Sequence, residues 1–225
     1  MKRKLHFVVV AVDGSVASTV FGPIELVQTC KKLQAGMPEL EPCEISTEIL
    51  TPDGASFLSS SGYRLPVDGA LRNLPAGAVI FFPGFGLPLA DRLPGLLEQH
   101  AAVGEWLKRQ HESGNTIAAS CTGNFALAEN DLLRNKRATT YWLYADLFRE
   151  RYPQIELDLD TPLIEDGRVF SVGGVVCGLD GVLAIIDRFM GREFARLCAK
   201  CSCSRIVRHP SCVTRSVNRP CTTTR

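Results

Sequence analysis

The residue of this sequence best placed to do chemistry is Cys121. It follows the small-residue run Thr116–Ser120 (TIAAS) and precedes Thr122, Gly123 and the apolar stretch NFALAE. A strand that turns sharply through Ser-Cys-Thr-Gly into a helix lifts one side chain above the carboxyl edge of a sheet. A glycine directly after it lets the helix begin close by. A cysteine held there has two readings. As a thiolate, its pKa lowered by the helix N–H groups and dipole, it is a nucleophile. As a thiol it is a small buried residue, as cysteines often are. Spacing alone leaves both open.

Other residues bear on that choice. Phe82-Pro83-Gly84-Phe85-Gly86 reads as a second strand-to-loop switch. The Gly84 N–H and the Thr122 N–H would together make an oxyanion-type pocket, although an ordinary glycine-containing loop has the same pattern. Glu25 follows Pro23, which is expected near the first turn of the first helix. Its carboxyl would either point at the thiol from below or stand in solvent. Tyr141, Trp142 and Tyr144 would line a ligand pocket with aromatic faces or serve as core and dimer contacts. Asp180 is expected to cap the last long helix. Of His6, His100, His111 and His209, none falls on a loop expected at the strand-end edge.

These residues need a scaffold, and the pattern supplies one. Leu5–Val12 (LHFVVVAV) is a nearly continuous apolar run, as in a parallel strand covered on both faces. Strands are also expected at Glu44–Leu50, Ala78–Pro83 and Thr116–Ser120, with Thr51-Pro52-Asp53-Gly54 a strong stop after the first of them. Ser56–Val67 reads as a short antiparallel excursion and Leu163–Val172 as a hairpin pivoting on Asp166-Gly167. Helices are expected over Leu96–Glu112, after Gly123 to about Glu129, over Tyr141–Arg151 and over Leu179–Met190. Strands alternating with helices predict an α/β fold, a doubly wound and mostly parallel sheet with helices on both faces.

Bulk properties narrow the function. A chain of 225 residues with formal net charge +1 fits one domain, expected over 1–200. All acidic residues precede residue 201, where they outnumber Lys and Arg, so this body offers no basic nucleic-acid-binding surface. Residues 201–225 carry five arginines and no acid and are expected to be disordered. No stretch reaches the apolar length of a membrane span. The N-terminal charge and apolar run end at Asp13, without a cleavage site, and read as a strand rather than a signal peptide. The expected location is the cytoplasm, where the nine cysteines stay reduced. Cys198, Cys201, Cys203, His209 and Cys212 are soft enough for zinc, but in a spacing that fits no zinc pattern. No metal and no cofactor are expected.

The motifs FGPIEL (21–26), FPGFG (82–86), ASCTGNFALAENDLL (119–133), RATTYW (137–142) and the YP…GRVFSVGG…GLD run over 152–180 together resemble the PfpI/ThiJ superfamily. They are most similar to the amidase-like N-terminal domain of GlxA-type AraC-family transcriptional regulators. The resemblance covers about residues 4–199. It implies a flavodoxin-like sandwich, often dimeric, with Cys121 at the elbow, Glu25 as its carboxylate neighbour, and Gly84 and Thr122 lining the pocket. Phe85, Gly123, Tyr141 and Trp142 are the further expected ligand contacts.

Two departures matter. The family's RATTHW pattern carries a histidine where this chain has Tyr141, and a phenol with a pKa near 10 is a poor base at neutral pH. The regulators continue into a helix-turn-helix region, whereas here an unpatterned tail follows, as a frameshift or truncation would leave. The expected function is therefore that of a ligand-sensing regulatory domain without its DNA-binding half, binding an unidentified small molecule as a homodimer. The alternative is a cysteine-dependent hydratase or amidase of the isocyanide-hydratase-like branch. Reversible oxidation of Cys121 in a redox sensor is a third reading.

Overall fold

A computed structural model describes residues 3–37, 42–85, 92–174 and 177–201. The strands are β1 (Arg3–Val10), β2 (Cys43–Thr51), β3 (Phe57–Leu58), β4 (Arg64–Leu65), β5 (Gly69–Ala70), β6 (Val79–Phe82), β7 (Thr116–Ser120), β8 (Arg137–Ala138), β9 (Glu156–Leu157), β10 (Leu163–Asp166) and β11 (Val169–Val172). The helices are α1 (Ala17–Ala35), α2 (Leu93–Gln99), α3 (Ala101–Glu112), α4 (Gly123–Glu129), α5 (Ala145–Arg151), α6 (Cys177–Met190) and α7 (Arg192–Cys201), with a 3-10 turn at Trp142–Tyr144.

Seven strands form one sheet in the order β10-β11-β7-β6-β1-β2-β5, parallel throughout except for β10. Side chains alternate across a strand, and β1 shows it. Val8 and Val10 enter one core with α2, α3, α4 and α5, while Leu5, Phe7 and Val9 enter the other with α1, α6 and α7. The β-branched run expected as a doubly covered strand is the centre of the sheet, and the flavodoxin-like architecture follows from it. Its chain order reverses between β1 and β6, so the carboxyl ends of β1, β6 and β7 flank the place where ligands enter such sheets.

Several boundaries differ from expectation for physical reasons. The helix expected at 96–112 is two helices that break at His100, where φ −106 and ψ 16 leave the helical region. Helix α1 starts at Ala17, straight after the Asp13-Gly14 turn, so Pro23 lies inside it and not in its first turn. Helix α6 starts at Cys177, which puts Asp180 within its first turn rather than at its cap. Helix α7 carries regular structure past Cys198, where the sequence pattern fades, and buries Phe194, Ala195, Cys198 and Ala199. Residues 202–225, with Cys203, His209 and Cys212, lie outside the described residues.

Candidate functional site

Cys121 follows β7 directly, with φ 55, a left-handed backbone that costs an L-residue about 1–3 kcal/mol unless its surroundings enforce it. They do. Its N–H donates to the Val172 carbonyl at 2.9 Å, tying the elbow to β11. Its own carbonyl accepts from the Thr140 hydroxyl at 3.0 Å, the Asn124 amide at 3.2 Å and the Asn124 N–H at 3.3 Å. The Asn124 amide also donates to the Val172 carbonyl at 2.8 Å. Cys121 is buried, with 2% of its surface exposed.

Two glycines make room for the turn. A Cβ on Gly123 would lie 2.8 Å from the Phe82 carbonyl oxygen and 2.9 Å from that of Pro83, so only glycine lets α4 start against the end of β6. A Cβ on Gly84 would lie 2.9 Å from the Cys121 Cβ. The loop after β6 is therefore pressed onto the cysteine. It is held there by Thr122, whose hydroxyl donates to the Phe85 carbonyl at 2.8 Å and accepts from the Phe85 N–H at 3.1 Å. The start of α1 closes in as well, as the Val16 N–H donates to the Gly84 carbonyl at 3.0 Å.

The electrostatics favour a thiol. Burial pushes the Cys121 pKa up, and the opposing influence of the adjacent Thr122 does not offset it. The expected lowering by a helix N-terminus is overturned by this desolvation, and α4 is only 7 residues long.

Glu25 is exposed, and no carboxylate is among the groups acting on the thiol. Its expected place beside Cys121 is corrected by the early start of α1. Eight residues of helix at about 1.5 Å each carry it about 12 Å from the end that touches the elbow. The side chain at that end is Thr19, buried, with its hydroxyl donating to the Val16 carbonyl at 2.8 Å.

Gly84, Phe85, Thr122 and Gly123 are all at the elbow. Tyr141 is half-buried, its ring 5.7 Å from that of Trp142 and 6.2 Å from that of Tyr144. Trp142 stands 67% exposed at the surface. Tyr144 is the buried member of the three. Its phenol is pushed up by burial, with Cys121 and Tyr141 adding to the shift, which puts it within electrostatic reach of the cysteine. Sequence reasoning also passed over Asn124 and Thr140. Both are polar residues within motifs adjoining the elbow, and that was their signal.

One histidine does reach this edge. His100, at the break between α2 and α3, has its ring 5.9 Å from that of Phe85. Burial holds it below the ordinary imidazole range, with Asp13 opposing the shift. It makes no hydrogen bond to the thiol. A cavity of about 310 Å³ lies at the amino end of the sheet, lined by Arg3, Cys43, Met190, Arg192 and Phe194 among others. Residues 86–91 and 175–176, which include Gly86, lie outside the described residues. No group of three potential metal ligands occurs among the described residues, and no described helix is long and apolar enough to cross a membrane.

The model of the DJ-1/PfpI family matches residues 16–180, well over half of the chain. The HTH-type transcriptional regulator CdhR of Pseudomonas aeruginosa is 33% identical over 147 residues, which are 65% of this chain and 41% of the regulator. The isonitrile hydratase of Pseudomonas putida is 26% identical over 155 residues, 68% of this chain and 64% of that protein. Among solved structures, a putative transcriptional regulator protein from Vibrio parahaemolyticus superposes with TM-score 0.75 at 21% identity. It covers 88% of this chain and 99% of its own, a likeness of fold. The matched stretch is thus less than half the length of CdhR.

Proposed function

As the chain belongs to the DJ-1/PfpI family, we propose that it is the ligand-sensing domain of an AraC/GlxA-type transcriptional regulator. It would bind an unidentified small molecule at the Cys121 edge and transmit occupancy through a cytoplasmic homodimer. DNA binding would fall to a segment outside the matched stretch.

The state of Cys121 carries this reading. The thiol is buried and its pKa is raised, and Tyr141 stands where the motif resemblance implies a histidine. A hydrolytic cysteine needs a thiolate or a base to make one, and this elbow favours the neutral thiol. A pocket floor needs neither. Phe85, Tyr141 and Tyr144 would give a ligand apolar faces, with Thr122 as a polar contact.

The identity to the isonitrile hydratase supports a second reading. The Cys121 sulfur would add to the isocyanide carbon, the thiol proton passing to the adduct. Water would then resolve the resulting thioimidate to a formamide and restore the thiol. The two readings separate in one experiment. The purified chain and its Cys121→Ser variant are screened against isocyanides, small amides and α-oxoaldehydes, for both turnover and saturable binding. Binding without turnover supports the sensor. Turnover lost in Cys121→Ser overturns it in favour of the hydratase.

A further inference from the structure

Two of the three helices that close one face of the sheet, α1 and α7, meet at a pair of thiols. Cys30 on α1 and Cys198 on α7 are 168 residues apart in sequence, yet their sulfurs lie 2.7 Å apart with both side chains fully buried. That separation is longer than the disulfide bond of about 2.05 Å but much shorter than the reach between cysteines that must move to be joined. The surroundings are apolar. Val27 and Leu26 of α1, Phe194 and Ala195 of α7 and Val182 of α6 belong to the same core.

We infer that Cys30 and Cys198 are a redox modification site, which peroxide converts to a reversible disulfide that staples α7 to α1. This does not rest on the sensing role proposed for the Cys121 edge.

The pair divides its labour. Cys30 donates its S–H to the Cys198 sulfur, and that hydrogen bond draws the Cys198 pKa down while it and burial push Cys30 up. With two thiols in contact, either sulfur can ionise at the expense of the other, and the direction of this hydrogen bond favours Cys198. Cys198 also lies on the short helix α7, one turn before the exposed Cys201, and local opening of such a helix admits a small oxidant. The Cys198 thiolate attacks hydrogen peroxide, the O–O bond breaks, and sulfenic acid forms with loss of hydroxide. The Cys30 sulfur then displaces the sulfenic oxygen and forms the S–S bond. Its proton and one more from solvent leave with the oxygens as water. Two thiols and one peroxide yield one disulfide and two waters, and a thiol reductant reverses the step.

Trypsin makes the test unambiguous, because it cuts after Lys31, Arg196 and Lys200 and so separates Cys198 from Cys201. The intact chain is exposed to hydrogen peroxide, its remaining thiols are blocked, and non-reduced peptides are mapped by mass. The expected product links the peptide ending at Lys31 to the Leu197–Lys200 peptide. It should persist in Cys201→Ser, vanish on reduction and be absent in Cys30→Ser and Cys198→Ser. The oxidised wild-type chain should also melt several degrees above the reduced one, because the link closes a very long loop of the unfolded chain. Thiols of Cys30 and Cys198 that are still blocked quantitatively after peroxide treatment, or a dominant link from Cys198 to Cys201 or Cys203, would overturn the inference.

Discussion

Gly84 and Cys121 face each other so closely that the glycine hydrogen is the only side chain the gap admits. A Cβ there would fall 2.9 Å from the Cys121 Cβ and 3.4 Å from its sulfur. The cysteine cannot yield, because its backbone is pinned to Val172, Thr140 and Asn124. Gly84→Ala should therefore push the 83–85 loop away and break the Thr122–Phe85 pair, at a cost of about 1–3 kcal/mol as an overpacked site. Urea unfolding of wild type and variant measures it. Gly95→Ala, within α2 where a Cβ meets nothing within 4 Å, is the comparison and should be unchanged or more stable by up to about 1 kcal/mol.

The raised pKa of Cys121 has a direct kinetic consequence. Burial keeps the thiol protonated above its ordinary value of 9.0. Iodoacetamide should then modify the peptide bearing Cys121 more slowly at pH 7–8 than an exposed cysteine such as Cys201. Because the folded value is raised, the thiol's contribution to stability is complete below pH 9.0 and is lost as pH climbs through the folded value. A Cys121 that is alkylated at neutral pH faster than Cys201 would contradict the raised value.

Thr122 holds the two loops of the site together, and its hydroxyl alone does so. Thr122→Val keeps the shape but leaves the Phe85 N–H and carbonyl buried without their partner. Stranding buried backbone groups costs about 1–3 kcal/mol each, so a loss of about 2–6 kcal/mol is expected for the two. Thr122→Ser should retain most of it. Differential scanning calorimetry of the three proteins decides, and a loss confined to Thr122→Ser would assign the effect to the methyl group instead.

Some of this was legible in the sequence and some was not, and the difference is one of range. The β1 run, the Thr51–Gly54 stop and the hairpin at Asp166-Gly167 rest on neighbouring residues. So does the turn at Cys121, since Ser-Cys-Thr-Gly between a small-residue strand and an apolar helix is local information. Glu25 was misplaced because the start of α1 is set by contact with Gly84, on a loop far along the chain. His100 was missed for a similar reason, since its approach to Phe85 depends on the break between α2 and α3. Tyr144 and Trp142 are two residues apart and differ wholly in exposure, 4% against 67%, because residues at that spacing on a helical turn face opposite sides and which side meets the core is set by packing. The Cys30–Cys198 pair joins elements from opposite ends of the sequence, and no pattern along the chain marks it.

Asn124 offers the sharpest pH test of the elbow. Its amide donates to the Cys121 carbonyl at 3.2 Å and to the Val172 carbonyl at 2.8 Å from a fully buried position. Asn124→Asp removes the donors and, when ionised, turns a carboxylate toward two carbonyl oxygens. Both desolvation and these oxygens favour the protonated acid, so the folded-state pKa of the new aspartate must be raised above the unfolded value of about 3.9. A raised acid stabilises the fold below the unfolded value and ceases to as pH rises through the folded one. The variant should thus lose about 3 kcal/mol or more at pH 7, as for an unpaired buried charge. Its deficit relative to wild type should narrow as pH falls toward 5, where the acid regains a donor. Paired unfolding curves for the two proteins at pH 5, 6 and 7 read the narrowing. A deficit that is constant across that range would mean that the carboxylate has reached solvent and that the elbow is open, not closed, around residue 124.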